Sequence, residues 1–396
     1  MIPPRQPRNP TLLPQAALFP PAFRSRQAHG LAVAAAQGRF MLQVCGGCGG
    51  ICYPPREACP VCLSAALAWR DVPTTGVVSA ETTIRISIDP YFRAHTPWRI
   101  GSVRLERGPD VIAHLHADLA AGTPTRLVLK LDKAGQAVMF ALPATDKPDM
   151  HDDPQFRETI CDPSGRRVLV TDGRTAFGQG LARALIAEGA EVFLGVANQW
   201  HPFPGQQELP GTPVDLDLTD SRNSEICAAA IAGRVDIIVN NAGDFRPGHA
   251  GLDDARLAME TSYLAAVRLG QFFAPALRAR GGDGAYAACA WVNVLSIAGL
   301  VPDVAYPSTS AAHAATLAHV RALRPALRPL KLINAFVGPL DDAWHQGLPP
   351  PKVTPAQLAS GVITALQQGL EEIAVGDVAR HTLARWHDNA AITLRE

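Results

Sequence analysis

Residues 166–197 read RRVLVTDGRTAFGQGLARALIAEGAEVFLGVA, in which two short apolar runs flank a turn and an amphipathic stretch. Apolar runs of this length are typical of buried strands, and GQGLARALIAEGA has the spacing of a helix. The alternation continues through VDIIVNNAG (235–243), AYAACAWVNVLS (285–296) and LKLINAFVG (330–338). Strands that alternate with helices predict a parallel sheet covered on both faces, so we expect an α/β domain over residues 166–396.

The residues before this domain follow a different pattern. Between residues 75 and 143 the chain consists of short β-rich runs separated by turn residues, such as VVSAETTIRISI and TRLVLKLD. This pattern is typical of a small barrel or sandwich. We therefore predict an N-terminal arm over 1–39, a cysteine-rich unit over 40–72, a small barrel over 73–145, a linker over 146–165 and the α/β domain over 166–396.

Composition excludes several classes of protein. The chain has 396 residues, 47% of them hydrophobic, and its 36 basic residues balance 36 acidic ones. The length suggests two or three domains, and a neutral chain is a poor candidate for a nucleic-acid binder. No apolar run reaches the ~18–20 residues that a membrane span needs, and the start lacks the apolar stretch of a secretory signal. We expect a cytoplasmic protein with no nucleic-acid or membrane partner.

Five of the eight cysteines form a cluster between residues 45 and 62. Cys45-Gly-Gly-Cys48 and Cys59-Pro-Val-Cys62 are two CxxC turns, and four thiolates satisfy tetrahedral zinc. The spacing predicts a structural zinc ion held by all four of these cysteines, with an iron site or no metal as the alternatives. Cys52 lies outside the repeat, so we expect it to stay out of the cluster. Four protein ligands leave no open position for catalysis by the metal.

Residues 30–145 resemble a known family. Pro54-Pro55-Arg56 lies between the two CxxC turns, and Gly76-Val-Val-Ser79, Pro97-Trp98 and Val103-Arg-Leu-Glu106 follow in order. This arrangement is similar to the rubredoxin-like zinc ribbon and OB-fold proteins associated with acyl-CoA and acyl-carrier metabolism. The resemblance makes 40–72 a zinc ribbon and 73–145 an OB-fold barrel. It implies work beside thiolase-like, hydratase or aldolase subunits that act on CoA thioesters.

Residues 166–396 resemble the short-chain dehydrogenase/reductase family, which has a Rossmann-type doubly wound fold. Val235-Asp-Ile-Ile-Val-Asn-Asn-Ala-Gly243 carries the family's NNAG strand end, and Asn293-Val-Leu-Ser296 matches the strand with the catalytic serine. Asn334-Ala-Phe-Val-Gly-Pro339 matches the strand before the substrate loop. The resemblance implies that a nicotinamide cofactor would contact Thr171, Gly173, Gly178, Asp217, Leu218, Asn241, Ala242 and Gly243.

The phosphate-binding turn departs from the family pattern. The family's TGxxxGxG is here Thr171-Asp172-Gly-Arg-Thr-Ala176-Phe-Gly178, so only the third glycine is kept in place. Glycines let the backbone and the helix N-terminus approach the pyrophosphate. A carboxylate at Asp172 would repel each phosphate charge by on the order of 4 kcal/mol at about 4 Å, unless it turns to solvent. Val196-Ala197 also lacks the acid or arginine that selects NAD or NADP. Binding of NAD(P) is therefore doubtful.

The catalytic group is also incomplete. Ser296 and Tyr306 occupy the family's serine and tyrosine positions, but Ser310 replaces the lysine of YxxxK and Ser262 the asparagine. A phenol that acts as a base near pH 7 needs a pKa lowered by about three units, or roughly 4 kcal/mol, and the lysine supplies much of that shift. Lys331 lies on a later strand. We expect His313, one turn beyond Ser310, to be a core or surface residue; the alternative is that it replaces the lysine.

These observations lead to one main hypothesis and two alternatives. We expect an accessory subunit of acyl-CoA metabolism, a pseudoenzyme or impaired dehydrogenase that forms homo- or hetero-oligomers. It would pair with an intact dehydrogenase through helices near 254–273 and 307–325, and with a thiolase-like enzyme through the zinc ribbon. The first alternative is an active NAD(P)-dependent oxidoreductase that uses Ser296 and Tyr306 on a hydroxyacyl or ketoacyl thioester. The second is a scaffold without a ligand pocket.

Overall fold

The computed structural model describes residues 19–22, 25–145, 150–197, 203, 205–248, 251–281 and 288–394. Residues 1–18 of the predicted arm, 146–149 of the predicted linker and 285–287 of the predicted strand lie outside the described residues. The rest forms a zinc ribbon, a small closed barrel and a Rossmann-type α/β domain, so the predicted fold class is confirmed. No helix within the described ranges is long and apolar enough to span a bilayer.

The zinc ribbon is a three-stranded antiparallel sheet. Its strands are β1 (Met41–Cys45), β2 (Ile51–Cys52) and β3 (Leu67–Asp71), in the order β2-β1-β3. Cys45 ends β1, and the turn that follows carries Cys48. Such a small sheet has little apolar area of its own to bury, so a structural metal is the usual way to stabilise it.

The barrel closes in the order β4-β5-β6-β8-β7. Its elements are β4 (Thr75–Ile84), α2 (Pro90–Ala94), β5 (Trp98–Leu105), β6 (Asp110–Leu115), β7 (Pro124–Leu131) and β8 (Ala137–Pro143). Side chains alternate between the interior and the outside, and in β7 the buried positions include Leu127, Leu129 and Leu131. Closure leaves no unpaired sheet edge, which suits a barrel of short strands.

The α/β domain is a seven-stranded sheet in the order β11-β10-β9-β12-β13-β14-β15. The strands are β9 (Arg167–Val170), β10 (Glu191–Gly195), β11 (Thr212–Val214), β12 (Ile237–Asn240), β13 (Ala290–Ser296), β14 (Lys331–Val337) and β15 (Glu372–Val375). All pairs are parallel, and every residue of β13 and β14 is buried. Because helices cover both faces, these strands carry continuous apolar runs.

Helices cover the sheet in two layers. They are α4 (Ala176–Ala187), α5 (Ser221–Ile231), α6 (Leu252–Ala258), α7 (Ala265–Phe272), α8 (Ala274–Gly281), α9 (Pro307–Leu327), α10 (Pro355–Gln368) and α11 (Asp377–Thr393). A π-helical turn, Met259–Leu264, joins α6 to α7. The order reverses between β9 and β12, and ligands of such sheets bind outside the strand ends at that reversal.

The last part of the predicted arm, which was expected to hold at most a short helix, is packed against its neighbours. Residues 29–36 form helix α1 (His29–Ala36), which places Leu31, Ala34 and Ala35 in the barrel core. The backbone N–H of Glu371 also donates to the carbonyl of Ala36 at 2.8 Å. The helix therefore contacts both the barrel and the α/β domain, because its alanine-rich surface lets two modules approach closely.

The predicted linker is also packed rather than free in its described part. It contains a short helix, α3 (Pro154–Arg157), and Phe156 and Ile160 pack against the outside of the barrel. Cys161 already belongs to the core of the α/β domain. Two lysines, the half-buried Lys130 and the buried Lys331, cross the same boundary. Lys130 Nζ donates to the carbonyl of Gln368 at 2.6 Å, and Lys331 Nζ donates to that of Leu131 at 3.1 Å.

Candidate active site and metal centre

The four cysteines of the two CxxC turns meet at one point of the ribbon. Their sulfur atoms lie within 4.8 Å of one another, with 3.5 Å between Cys45 and Cys62 and 3.6 Å between Cys48 and Cys59. Four ligands placed 2.3 Å from a tetrahedral centre lie about 3.8 Å apart. The geometry therefore fits one zinc ion. Cys52 is not part of the group; its Sγ lies near the carbonyl of Gly50.

Backbone N–H groups prepare this site for a cation. They surround the Cys59 sulfur and lower the pKa of that thiol to about 6, and the amide of Gly47 lies 3.3 Å from the Cys45 sulfur. Thiolates are the form that binds metal. A bound zinc would supply structural cross-linking of the two turns, since all four positions are taken by protein ligands.

A cleft of about 620 Å³ lies at the carboxyl ends of β9, β10 and β12. Six of the eight predicted cofactor residues line it: Thr171, Asp217, Leu218, Asn241, Ala242 and Gly243. The other two, Gly173 and Gly178, lie behind its wall and have a packing role. An added Cβ at Gly173 would lie 2.2 Å from Leu194, and at Gly178 only 1.8 Å from the carbonyl oxygen of Asp172.

The turn before α4 keeps its architecture although two glycines are lost. Thr175 caps the helix by accepting the N–H of Gly178 at 3.1 Å. Asn241 holds the turn from below, accepting the N–H of Asp172 and donating to its carbonyl. The N-terminus of α4 therefore still faces the cleft, which is the arrangement that binds phosphate groups.

The carboxylate of Asp172 lines this cleft, as the sequence suggested, but it is not isolated. Its Oδ1 accepts the backbone N–H of Arg174 at 3.0 Å and lies 3.4 Å from the Arg174 Nε. The guanidinium, itself about half exposed, offsets part of the negative charge. The expected repulsion of a pyrophosphate is therefore reduced. The cleft lies where dinucleotides bind in folds of this kind, with an acid at its phosphate end.

The adenine end of the cleft is built from the residues after β11 and β10. Asp217 accepts from the backbone and hydroxyl of Thr219, so its carboxylate is used to shape this turn. Val196, at the end of β10, is buried, whereas Ala197 lines the cleft. Neither provides a charge that would select NAD or NADP.

Ser296 and Tyr306 come together in a second cavity of about 470 Å³. Phe245 lines both this cavity and the cofactor cleft, so the two are neighbours. The Ser296 Oγ accepts the backbone N–H of Ala298 at 3.2 Å, which leaves its own proton free to donate. The buried Tyr306 hydroxyl has no hydrogen-bond partner among the described residues.

The surroundings of Tyr306 work against its use as a base. Burial, together with the nearby carboxylates of Asp303 and Asp342, raises the pKa of the phenol to about 12. Ser310, at the lysine position, accepts the backbone N–H of Asp303 at 3.2 Å and brings no charge. Ser262, at the asparagine position, lies in the π-helical turn and accepts the N–H of Asp244 at 3.0 Å.

His313 is a buried structural residue and does not replace the lysine. Its Nδ1 accepts the backbone N–H of Ser296 at 3.2 Å, so Nε2 carries the proton and donates to the carbonyl of Asp244 at 3.1 Å. Burial lowers the pKa of this imidazole to about 4. Lys331 is equally unsuitable, because its buried side chain points to the barrel.

One pair beside this cavity was not predicted from the sequence. The Nδ1 of His345 lies 2.6 Å from Oδ1 of Asp342, and the ring of His345 lies nearly parallel to that of Tyr306 with centroids 6.0 Å apart. The available signal was the Asp-x-x-His spacing that follows the buried strand β14.

Fold and sites together define a Rossmann-type domain with a dinucleotide-shaped cleft, fused to a four-cysteine ribbon and a barrel. Residues 166–339 match the short chain dehydrogenase family. Residues 32–68 match the ChsH2 rubredoxin-like zinc ribbon domain, and residues 69–130 match the ChsH2 C-terminal OB-fold domain. The chain is therefore a fusion of ChsH2-type zinc ribbon and OB-fold domains with a short-chain dehydrogenase domain.

Individual relatives match the dehydrogenase part. A probable oxidoreductase of Streptomyces antibioticus is 39% identical over 89 residues, which is 21% of this chain and 30% of that protein. L-fucose dehydrogenase of Bos taurus is 29% identical over 172 residues, 41% of this chain and 60% of that enzyme. The chain thus spans less than two thirds of the length of either relative.

A solved structure matches the same domain. It is a short chain dehydrogenase from Burkholderia cenocepacia J2315 in complex with NADP. It is 27% identical, covers 58% of this chain and 96% of its own, and has a TM-score of 0.50. The match places a dehydrogenase-type fold after the barrel.

Proposed function

We propose that this chain is an accessory subunit of acyl-thioester metabolism whose dehydrogenase domain transfers hydride poorly or not at all. The observation that carries the proposal is the environment of Tyr306. A phenol with a pKa raised to about 12 stays protonated near pH 7 and cannot accept the proton of an alcohol. The family's lysine, which would lower that pKa, is replaced by Ser310, which is bound to the backbone of Asp303.

Cofactor binding in this proposal is weak rather than lost. The cleft, the N-terminus of α4 and the glycine packing at Gly173 and Gly178 are all retained. NADP in the Burkholderia relative makes a dinucleotide a reasonable ligand. Two features weaken binding of a dinucleotide: the Asp172 carboxylate, and the absence after β10 of a charged residue that selects NAD or NADP. A bound nicotinamide would supply the hydride acceptor, and the residues of this chain would do no more than hold it.

Surface composition supports a subunit role. The solvent side of α9 carries the small residues Ala311, Ala314 and Ala318, and α6 exposes Leu252 and Leu257. Flat apolar helix faces of this kind suit packing against the same helices of an intact dehydrogenase subunit. At the ribbon, Val61 and Leu63 are 78% and 79% exposed beside the metal site. This apolar tip suits docking of a thiolase-like enzyme acting on acyl-CoA.

The test is a hydride-transfer assay on the zinc-loaded full chain. Purified protein is mixed with 3-hydroxybutyryl-CoA and either NAD⁺ or NADP⁺, and formation of the reduced cofactor is followed by absorbance. We expect no turnover above that of the Tyr306→Phe variant. Turnover of several per second in the unmodified protein, abolished by Tyr306→Phe, would overturn the proposal.

The second candidate function is an active NAD(P)-dependent oxidoreductase. One observation favours it: Ser296 and Tyr306 line the same cavity, next to a cleft of dinucleotide size. In that case the same assay gives turnover, and the protein reduces or oxidises a hydroxyacyl or ketoacyl thioester through these two residues.

A further inference from the structure

Asp342 and His345 form a hydrogen-bonded pair beside the cavity that holds Ser296 and Tyr306. The loop that carries the pair is tied at its base, because Asp341 donates its N–H to the carbonyl of Val353 and Val353 donates back to that of Pro339, each at 2.8 Å. Oδ1 of Asp342 also accepts the backbone N–H groups of Trp344 and His345. The carboxylate is therefore fixed, and it fixes the imidazole.

This arrangement determines the tautomer of His345. An N–H faces the carboxylate at 2.6 Å, so in the neutral imidazole Nδ1 carries the proton and Nε2 carries the lone pair. No described residue is hydrogen-bonded to Nε2, and the ring lines the 470 Å³ cavity together with Ser296 and Tyr306. A histidine oriented by a carboxylate in a pocket has the arrangement that a general base requires.

Two hydroxyl donors share the cavity with this base. The Ser296 Oγ accepts from Ala298 and has its own proton to donate, and the Tyr306 hydroxyl lacks a partner among the described residues. A phenol that stays protonated is unsuited to take a proton and well suited to donate a hydrogen bond to an oxyanion. Asp303 and Thr382 add two further polar residues to the lining, and Val304 is exposed to solvent at its rim. The rest of the wall is apolar: Phe245, Ile297, Ala298, Val301, Pro302, Pro339 and Val378.

We propose that this cavity enolises carbonyl compounds, namely ketones or 3-ketoacyl thioesters with a hydrogen on the carbon next to the carbonyl, without a nicotinamide. The C–H bond breaks and its proton moves to Nε2 of His345, while the electron pair moves through the new C=C bond onto the carbonyl oxygen. Tyr306 and Ser296 stabilise that oxyanion by hydrogen bonds. Return of a proton from His345 restores the ketone, so the cycle needs no oxidant or reductant.

The experiment is proton exchange followed by NMR. The zinc-loaded full chain is incubated in D₂O near neutral pD with cyclohexanone, which has slow background exchange and fits the cavity, and loss of the C2 proton signal is recorded without cofactor. We expect exchange faster than buffer alone. His345→Gln should reduce the enzymatic rate by about 10²-fold or more, and Asp342→Asn by about tenfold, because general bases typically contribute 10²–10⁴-fold.

Controls separate this activity from hydride transfer and from folding defects. His381→Gln, an exposed change on α11, should leave the exchange rate unchanged. Far-UV circular dichroism and melting confirm that the His345 and Asp342 variants are folded. Exchange no faster than buffer, or equal exchange in a folded His345→Gln variant, would overturn the inference and leave the proposed loss of hydride transfer untouched. If the protein reduces NAD(P)⁺ and His345→Gln abolishes that reduction, Asp342 and His345 take part in hydride transfer. That result would also overturn the enolisation proposal.

Discussion

The zinc ribbon and the Tyr306 cavity both contain the residues that the sequence singled out, but only the ribbon has the environment to match. At the ribbon, four sulfur atoms lie within 4.8 Å, and backbone N–H groups favour the thiolate form of Cys59. At the cavity, Ser296 and Tyr306 are in place, yet nearby carboxylates and burial hold the phenol protonated. The zinc site needs only four cysteines in the right positions. The Tyr306 site also needs a positive charge near the phenol, and Ser310 does not supply it.

The difference shows which kind of site keeps its structure when one of its functional residues is replaced. A metal centre fails when one ligand is lost, since no neighbouring group makes up for a missing thiolate. A dehydrogenase site keeps its shape when a lysine becomes serine, because the fold is held by packing elsewhere. The predictions below test this contrast, beginning with the largest effect.

The largest effect is expected at the ribbon. Wild-type protein should carry about one zinc per chain, and Cys59→Ser should carry almost none and lose the folded ribbon, because structural zinc supplies much of the stability of such a unit. Elemental analysis measures the metal. Cys52→Ser is the matched control, since Cys52 lies outside the sulfur cluster and its loss should leave zinc in place. Zinc retained in Cys59→Ser would contradict the claim that the ribbon site fails when one cysteine ligand is lost.

The second effect concerns acid stability of the α/β domain. The folded-state pKa of His313 is lowered to about 4, whereas an unfolded histidine titrates near 6.5. Between these values the unfolded chain binds the extra proton, so stability present above pH 6.5 is lost as pH falls towards 4, by about 3 kcal/mol. His313→Gln, which keeps an acceptor and a donor, should flatten this part of the slope.

Chemical denaturation at pH 7, 6 and 5 measures that slope. His381→Gln replaces an exposed histidine and should leave the slope of stability against pH unchanged. His114 in the barrel, whose pKa burial also lowers to about 4, contributes separately, so the domain should be followed by a probe that is local to it. An unchanged slope in His313→Gln would mean that the imidazole is not held neutral by the fold.

The third effect tests the missing charge directly. Ser310→Lys should lower the pKa of Tyr306 by about one to two units, because a cation one helical turn away favours the phenolate. Ser310→Met has a similar length without charge and serves as the control. Labelling the five tyrosines with ¹³C and assigning Tyr306 by its loss in Tyr306→Phe allows NMR titration. Equal pKa values in the two Ser310 variants would show that charge is not what distinguishes this site from the ribbon.

The smallest effect is expected at the phosphate end of the cleft. Asp172→Asn removes a charge but keeps the acceptor for the N–H of Arg174, so NAD(H) should bind about tenfold more tightly, or about 1.4 kcal/mol. The gain is limited because Arg174 already offsets part of the charge. Calorimetry measures it, with Asp388→Asn on α11 as a control. Weaker binding in Asp172→Asn would show that this carboxylate helps to bind the cofactor.

Most of the fold was predictable because it follows from periodicity and spacing. The α/β domain was predictable from the alternation of strands and helices after residue 166. The zinc ribbon was predictable from the two CxxC turns. The packing of α1 was not predictable, because an alanine-rich segment such as His29–Ala36 has no strong pattern until two surfaces enclose it. The side-chain contacts of Asp172 and His345 depend on partners brought close by loops, and spacing carries little information about them.

The two lysines that cross between barrel and α/β domain have a mechanical consequence. Lys130 and Lys331 each reach a backbone carbonyl of the other module, and α1 and the segment around Ile160 are held between the two. The two modules are therefore attached to each other at several points along their boundary. These contacts would restrict both the distance and the angle between a protein bound at the ribbon tip and a protein bound at α9. The chain would then determine how two bound proteins are arranged relative to each other.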